Sequence, residues 1–452
     1  MINIYLISTL VGSLLLATLL LMIVTSFYEE RPKAAKKAIL SLPIALIYIG
    51  LPFLNQPYTS YLLYFINIPL IIFSCYLFLP SFLFKKKKET IAMGQMDERN
   101  IMFARKELKP ETERFDDYYK EFPEHKASDD EFRKLPGLLG PTSRFSNQLA
   151  YSATDSIFKT VDVLHPLVDG EIAEKKTDIS EEKHAEFIQS WLKHSGALSS
   201  GFTTTKDYHW YTTGGRGDRY GIKIDPQHTI AIAFTVEMDQ KMVEAAPQSS
   251  IIMESATRYL HAGIIATQLA DFIRQNGYEA RAHIDGNYQV VAPLVARDAG
   301  LGEIGRMGLL MTPSHGPRVR VGVVTTNMPL PISKRNFDDS MEDFCDKCKK
   351  CATNCPANAI SEDAKKEINN VERWQINSEA CFKYWCTAGT DCGRCMATCP
   401  YSHPNNLLHK MVRWSIKSFP NFRYWAVKMD DYFYGKKTTV GKLPAWLSYK
   451  NN

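Results

Sequence analysis

Residues 345–356 read CDKCKKCATNCP, and residues 381–400 read CFKYWCTAGTDCGRCMATCP. The first stretch spaces Cys345, Cys348, Cys351 and Cys355 as C-x2-C-x2-C-x3-C and closes on Pro356. Three thiolates on one tight loop cap three irons of a cubane, and the fourth thiolate reaches the neighbouring cluster. Zinc also takes clustered cysteines, but this spacing with its trailing proline specifies [4Fe–4S]. The second stretch ends the same way, with Cys392, Cys395 and Cys399 before Pro400, yet it is one cysteine short. Crossed ligation assigns one cluster to Cys345, Cys348, Cys351 and Cys399. The other takes Cys355, Cys392, Cys395 and either Cys381 or Cys386, between which the spacing does not choose.

The rest of the cysteine usage agrees. Nine of the ten cysteines fall between Cys345 and Cys399, and the tenth, Cys75, lies in an apolar run. A tight cluster in a chain of 452 residues indicates metal ligation in a reducing compartment, not a disulfide framework. The cysteine domain is expected over residues 334–404, followed by a basic, aromatic tail over 405–452 that either lies on a membrane surface or packs across the domain; packing is favoured because an interfacial helix needs a cleaner apolar face.

Upstream, residues 201–333 have the texture of an α/β domain. RYGIKID (219–225), TIAIAFTVEM (229–238) and RVRVGVVTTNMPL (318–330) read as strands. SIIMESATRYLHAGIIATQLADFIRQNG (250–277) carries apolar residues at spacings of three and four and closes on glycine, as a long helix does. Residues 89–200 are polar with helical patches and form a linking region. GLGEIG (300–305) matches a dinucleotide fingerprint in letters only. A mixed, polar segment precedes it and Thr325 stands where the acidic residue belongs, so NAD is not expected. The triplet Arg216-Gly217-Asp218 reads as a turn.

The amino-terminal 90 residues hold eight Lys/Arg against three Asp/Glu, and the remainder has 46 of each sign, so the formal charge of +5 belongs to this segment alone. A neutral remainder offers no global footprint for nucleic acid. Ile4–Ser26, Ala38–Leu54 and Ser60–Phe84 are uncharged and make residues 1–88 a three-span membrane anchor. Arg31, Lys33, Lys36 and Lys37 follow the first span and Lys85–Lys88 the third. Three spans put both clusters on one side, which the positive-inside rule makes cytoplasmic. The expectation is a multi-pass protein of the inner (cytoplasmic) membrane with its catalytic part facing the cytoplasm.

Several segments together resemble the corrinoid-dependent reductive dehalogenases and their relatives, the epoxyqueuosine reductases. They are MDERNIMFAR (96–105), PLVARDAGLGEIGRMGLLMTPSHGPRVRV (293–321), the double cysteine motif, and CFKYW with GTDCGRCMATCPYS. The resemblance implies a nitroreductase-like cobalamin-binding domain joined to a ferredoxin-like module with two [4Fe–4S] clusters. It implies cobalamin held base-off, with Gly300, Gly302, Gly305 and Met307 beside it. It also implies that Tyr259 donates a proton, with Arg318 polarising the phenol. Asp285 stands where the epoxyqueuosine reductases carry their acid and the respiratory dehalogenases tend to carry Asn. By the same resemblance the distant ligand of the second cluster is the cysteine before an aromatic pair, which selects Cys381. The implied activity is reductive cleavage of a carbon–halogen bond in an organohalide. Electrons would come from a quinol-linked donor or a ferredoxin or flavodoxin. The alternatives are an epoxyqueuosine reductase-like enzyme and a non-catalytic membrane ferredoxin.

Overall fold

A computed structural model describes residues 4–54, 56, 58–84, 89, 94–368 and 371–448. Lys85–Lys88 lie outside the described residues. The chain forms two units. The first comprises residues 1–87, 339–348 and 403–438, and the second residues 88–338, 349–402 and 439–452.

In the first unit, the three apolar helices are Ile4–Tyr28, Pro32–Leu54 and Thr59–Leu77, with mean hydropathies of 2.5, 1.9 and 1.7. Each is long and apolar enough to cross a bilayer. The second starts six residues earlier than the uncharged run suggests. Pro32 sits in the first helical turn, where its missing N–H costs nothing, and Lys33, Lys36 and Lys37 are carried on the helix. The third ends at Leu77, well short of Phe84. Asn67 ties the three together: its side-chain amide donates to Ser8 Oγ at 2.8 Å and accepts from Tyr48 at 2.6 Å. Such a buried polar bond holds apolar helices where the hydrophobic effect cannot.

Much of the carboxy-terminal tail joins these helices. Phe78 meets Phe419 edge-on at 5.2 Å and stacks on Phe422 at 5.9 Å, and Phe73 meets Trp425 edge-on at 5.0 Å. The tail therefore divides: residues 403–438 belong to the apolar unit and only the last segment to the second. Within this unit the tail helices meet both the apolar helices and Asp339–Cys348, the helix that opens the cysteine segment. In the same unit Arg423 donates to Asp343 at 3.1 Å, fixing the helix Asp339–Cys348 that ends in two of the cysteines.

The second unit is built on a four-stranded antiparallel sheet. The strands are β1 (Ser199–Thr204), β2 (Ile230–Glu237), β3 (Ala280–His283) and β4 (Val319–Thr326), in the order β1-β2-β4-β3. Both faces are covered, so β2 is apolar almost throughout. Ile232, Phe234 and Val236 face the long helix Ser249–Gln275, where Ile265, Leu269 and Ile273 pack against them. Ala231 and Ala233 face the other way, onto Val295 and Ala296 of the short helix Ala292–Asp298. The helix of 27 residues ends as its sequence suggests. Gly277 takes φ +83°, and a Cβ there would lie 2.6 Å from the Lys175 carbonyl.

The segment 219–225 is not a strand, and its pairing is limited to an isolated bridge between Lys223 and Thr213. Gly217 and Gly221, both at positive φ, make this region a pair of turns.

Candidate active site

Tyr259 lies midway along the long helix, one turn after Ser255, so both point from the same helical face. Arg320 comes from β4. Even-numbered residues of that strand face the long helix, as Val324 does in the core, and Arg320 follows the alternation. Its guanidinium carbon stands 5.0 Å from the Tyr259 ring centroid. Arg320 Nη2 donates to Ser255 Oγ at 2.6 Å and to Asp391 Oδ2 at 3.2 Å, and Ser255 in turn donates to Asp391 at 2.5 Å. Asp285 follows β3, with Arg216 Nη1 4.0 Å from its Oδ1. Arg216 is anchored on its other side by Glu107 at 2.8 Å. His165 Nε2 lies 2.8 Å from the Asp285 carbonyl oxygen and fixes the loop.

Arg318, expected beside Tyr259, is elsewhere. It precedes β4, and its Nη1 donates to Glu237 at 2.7 Å and to the Met238 carbonyl at 2.5 Å, while Nε donates to the Ser402 carbonyl. Those three acceptors occupy the guanidinium and hold it away from the phenol. Arg320 is the cation at the ring.

Tyr259, Asp285, Tyr288 and Arg320 retain partial solvent access although protein surrounds them densely, which is the signature of a recess. Burial pushes the Tyr259 phenol above its usual range. Arg320 opposes the shift without cancelling it, and Asp285 and Asp391 add to it. Burial likewise raises Asp285 against Arg216, and Asp391 against Arg320. Arg320 stays charged: burial disfavours its cation, but Tyr259, Asp391, Tyr288 and Asp285 outweigh that. Desolvation is thus a larger effect on the phenol than the neighbouring arginine. Arg320 Nε and Asp391 Oδ1 are buried without a hydrogen-bond partner among the described residues. A separate cavity of about 460 Å³, lined by Trp210, Arg219, His228, Arg281 and Gln289 among others, holds none of the titratable groups around Tyr259.

Four thiols of the second unit converge. Cys355 adds to the burial that pushes Cys381 up to about 11, and Cys381 and Cys355 both add to the burial that pushes Cys392 up to about 12. Cys395, also raised chiefly by burial, senses all three. Four sulfurs from three segments, each within electrostatic reach of the others, could hold a cubane. The backbone N–H of Ala359 approaches Cys355 Sγ at 3.3 Å. Cys386 stands apart. It packs with Met102, Phe132 and Phe382, and the charged group beside it is Lys106. Asp391 adds to the shifts of Cys381 and Cys392, so one carboxylate borders both the recess and the thiols. Of the remaining cysteines, Cys345 and Cys348 close the helix Asp339–Cys348 in the first unit. Cys351 and Cys399 lie in the second, and all four are buried.

The glycines of 300–305 answer to their own backbone. A Cβ on Gly302 would lie 2.1 Å from the Met311 carbonyl across the hairpin Glu303–Ile304/Leu310–Met311, and Gly300 turns at φ +83°. Gly305 donates to the Leu309 carbonyl at 3.0 Å, and Met307 is buried. The residues that sequence reading missed are Arg320, Arg216, Asp391 and Tyr288. Arg216 was hidden in a triplet that reads as a turn, which it also is.

Residues 344–403 match the family model for a 4Fe-4S dicluster domain. The tetrachloroethene reductive dehalogenase of Sulfurospirillum multivorans is 36% identical over 213 residues, covering 45% of this chain and 42% of that one. Epoxyqueuosine reductase of Aliivibrio fischeri is 29% identical over 144 residues, covering 30% and 37%. Among solved structures, a reductive dehalogenase described for B12-dependent dehalogenation superposes with a TM-score of 0.63 at 25% identity. The superposition covers 78% of this chain and 49% of that one. The chain spans less than half the length of the curated dehalogenases it matches.

Proposed function

We propose that this chain, a member of the corrinoid-dependent reductive dehalogenase family, is a membrane-anchored oxidoreductase that replaces halogen by hydrogen on an organohalide. The overall conversion consumes two electrons and one proton and releases halide: R–X + 2e⁻ + H⁺ → R–H + X⁻. The observation that carries this reading is the pairing of Tyr259 with Arg320 in a recess that shares Asp391 with four converging thiols.

Tyr259 holds the proton at its phenol oxygen. Burial keeps the phenol neutral, so the proton is present, and Arg320 offers the phenolate a cation once the proton has left. Asp391 and Ser255 hold Arg320 in place. Asp285, with Arg216 beside it, orients the substrate or serves as a second acid. Cys355, Cys381, Cys392 and Cys395 hold one [4Fe–4S] cluster. Spacing assigns the other to Cys345, Cys348, Cys351 and Cys399. Bound corrinoid, base-off, would supply the low-potential cobalt centre at which the carbon–halogen bond is reduced. The unpartnered Arg320 Nε and Asp391 Oδ1 leave polar groups at the recess for such a ligand. The three apolar helices anchor the protein in the cytoplasmic membrane with the second unit in the cytoplasm, where a quinol-linked donor or a ferredoxin or flavodoxin supplies electrons.

Asp285 favours a second reading, reduction of an epoxyqueuosine-type substrate, since a carboxyl raised by burial is itself a proton donor. One assay separates the two. Protein loaded with iron, sulfide and cobalamin is given a reduced low-potential donor and either halogenated compounds or epoxyqueuosine-containing tRNA. Halide release supports the first reading; turnover of the tRNA alone supports the second.

A further inference from the structure

Outside the thiol sites, metal-donor side chains gather in the first unit. Glu29 follows the first apolar helix, His403 opens the carboxy-terminal segment, and His409 lies in the first turns of the helix Leu407–Ser418. One carboxylate oxygen and one ring nitrogen from each histidine lie within 4.8 Å of one another. His409 Nε2 is 3.0 Å from Glu29 Oε1, and the two imidazoles stack with centroids 4.5 Å apart and planes 7° from parallel. The Glu29 and His409 side chains are 1% and 8% exposed.

Further contacts surround these three residues, among them Tyr434, whose hydroxyl donates to Glu29 Oε2 at 3.5 Å and whose ring lies 4.2 Å from that of His403. His403 Nε2 lies 3.0 Å from Asp430 Oδ1, and Asn406 Nδ2 donates to Glu29 Oε1 at 2.7 Å. A carboxylate that takes one imidazole N–H fixes the tautomer and leaves the other nitrogen as a lone-pair donor. Asp430 therefore prepares His403 Nδ1 for a metal, and Asn406 orients the carboxylate. A hydrogen bond between Glu29 and His409 would account for those two residues alone. It gives no reason for a second imidazole, oriented by its own carboxylate, beside the first; binding one ion would turn the two stacked rings out of parallel, because a ring nitrogen donates in its own plane.

We propose that Glu29, His403 and His409 bind one divalent transition-metal ion, best matched by zinc. Two neutral imidazoles and one carboxylate suit zinc, whereas magnesium and calcium take all-oxygen sets. Three protein ligands leave a fourth position for water. The ion would clasp the end of the first apolar helix to a helix 380 residues away in sequence.

The test uses the full chain, purified in detergent with its iron complement intact, incubated with zinc alone and analysed for both metals by mass spectrometry. About one zinc per chain is expected beyond the iron. Glu29→Gln and His403→Gln should each lower zinc occupancy roughly tenfold or more at unchanged iron. Glu29→Gln preserves shape and the contact with Asn406, so it serves if the histidine variant does not fold. Zinc should also raise the unfolding temperature of the wild type and not that of Glu29→Gln. Negligible zinc on fully iron-loaded wild type, or zinc undiminished in the iron-replete variants, overturns the proposal.

Discussion

Arg320 and Tyr259 face each other across the recess of the second unit, guanidinium carbon to ring centroid 5.0 Å, while Arg318, two residues earlier, is spent on Glu237 and two carbonyls. The two arginines should therefore fail differently. Arg320→Gln removes the cation that receives the phenolate and should lower the rate by about tenfold or more with an ordinary unfolding temperature. Arg318→Met leaves buried carbonyls unpartnered and should instead destabilise the protein by about 3 kcal/mol. Steady-state rates and thermal unfolding of both variants check this; equal loss of activity at equal stability would reject the assignment.

The proton donor is identified by pH. Tyr259 is raised above the ordinary phenol value, so a rate that depends on its proton stays flat through neutrality and falls only in strongly alkaline solution. Asp285 is raised only from the carboxylate range, so a rate depending on its proton would fall at lower pH. Tyr259→Phe is expected to cost about 10²–10⁴-fold at unchanged cofactor content. Asp285→Asn is expected to keep the alkaline limb where the wild type has it.

Iron content separates the two candidate cysteines. Cys381→Ser should lose about half of the roughly eight irons, and Cys386→Ser should keep them all. The apolar surroundings of Cys386, against Met102, Phe132 and Phe382, make it a packed side chain. Iron analysis with electron paramagnetic resonance of the reduced protein reads both outcomes.

Asp298 gives a stability test away from the chemistry. Burial alone would raise its carboxyl, but the contact with His209 at 2.9 Å, and those from Arg297 and Tyr208, outweigh burial and hold it far below the usual range. A depressed carboxyl stabilises the fold above its unfolded value of about 3.9, and the stabilisation is lost as pH falls below that. Asp298→Asn should cost about 3 kcal/mol near pH 7, and the gap to wild type should narrow under acid.

Ligand spacing was legible because a cluster loop is local: the residues that bind lie two or three apart in sequence. Strand β2 and the long helix were legible for the same reason, through periodicity. Arg320 was not, because its choice over Arg318 depends on where β4 begins and on Glu237 at the end of another strand. Arg216 reaches Asp285 from a turn 69 residues earlier, and no local pattern records that contact. Desolvation was equally invisible, so the direction of the Tyr259 shift emerged only once the recess was formed. The second apolar helix was read too short because a sequence scan stops at lysine, whereas a helix carries lysines on its first turns.

On the proposed reading, electrons and a proton meet at a halogenated carbon beside Tyr259. The direct measurement is halide release by the cofactor-loaded protein in D₂O with a reduced low-potential donor, using halogenated alkenes and halogenated aromatics as probes. One halide and one carbon-bound deuterium are expected per two electrons, with both lost in Tyr259→Phe. Full iron content with no corrinoid uptake and no halide release would contradict it.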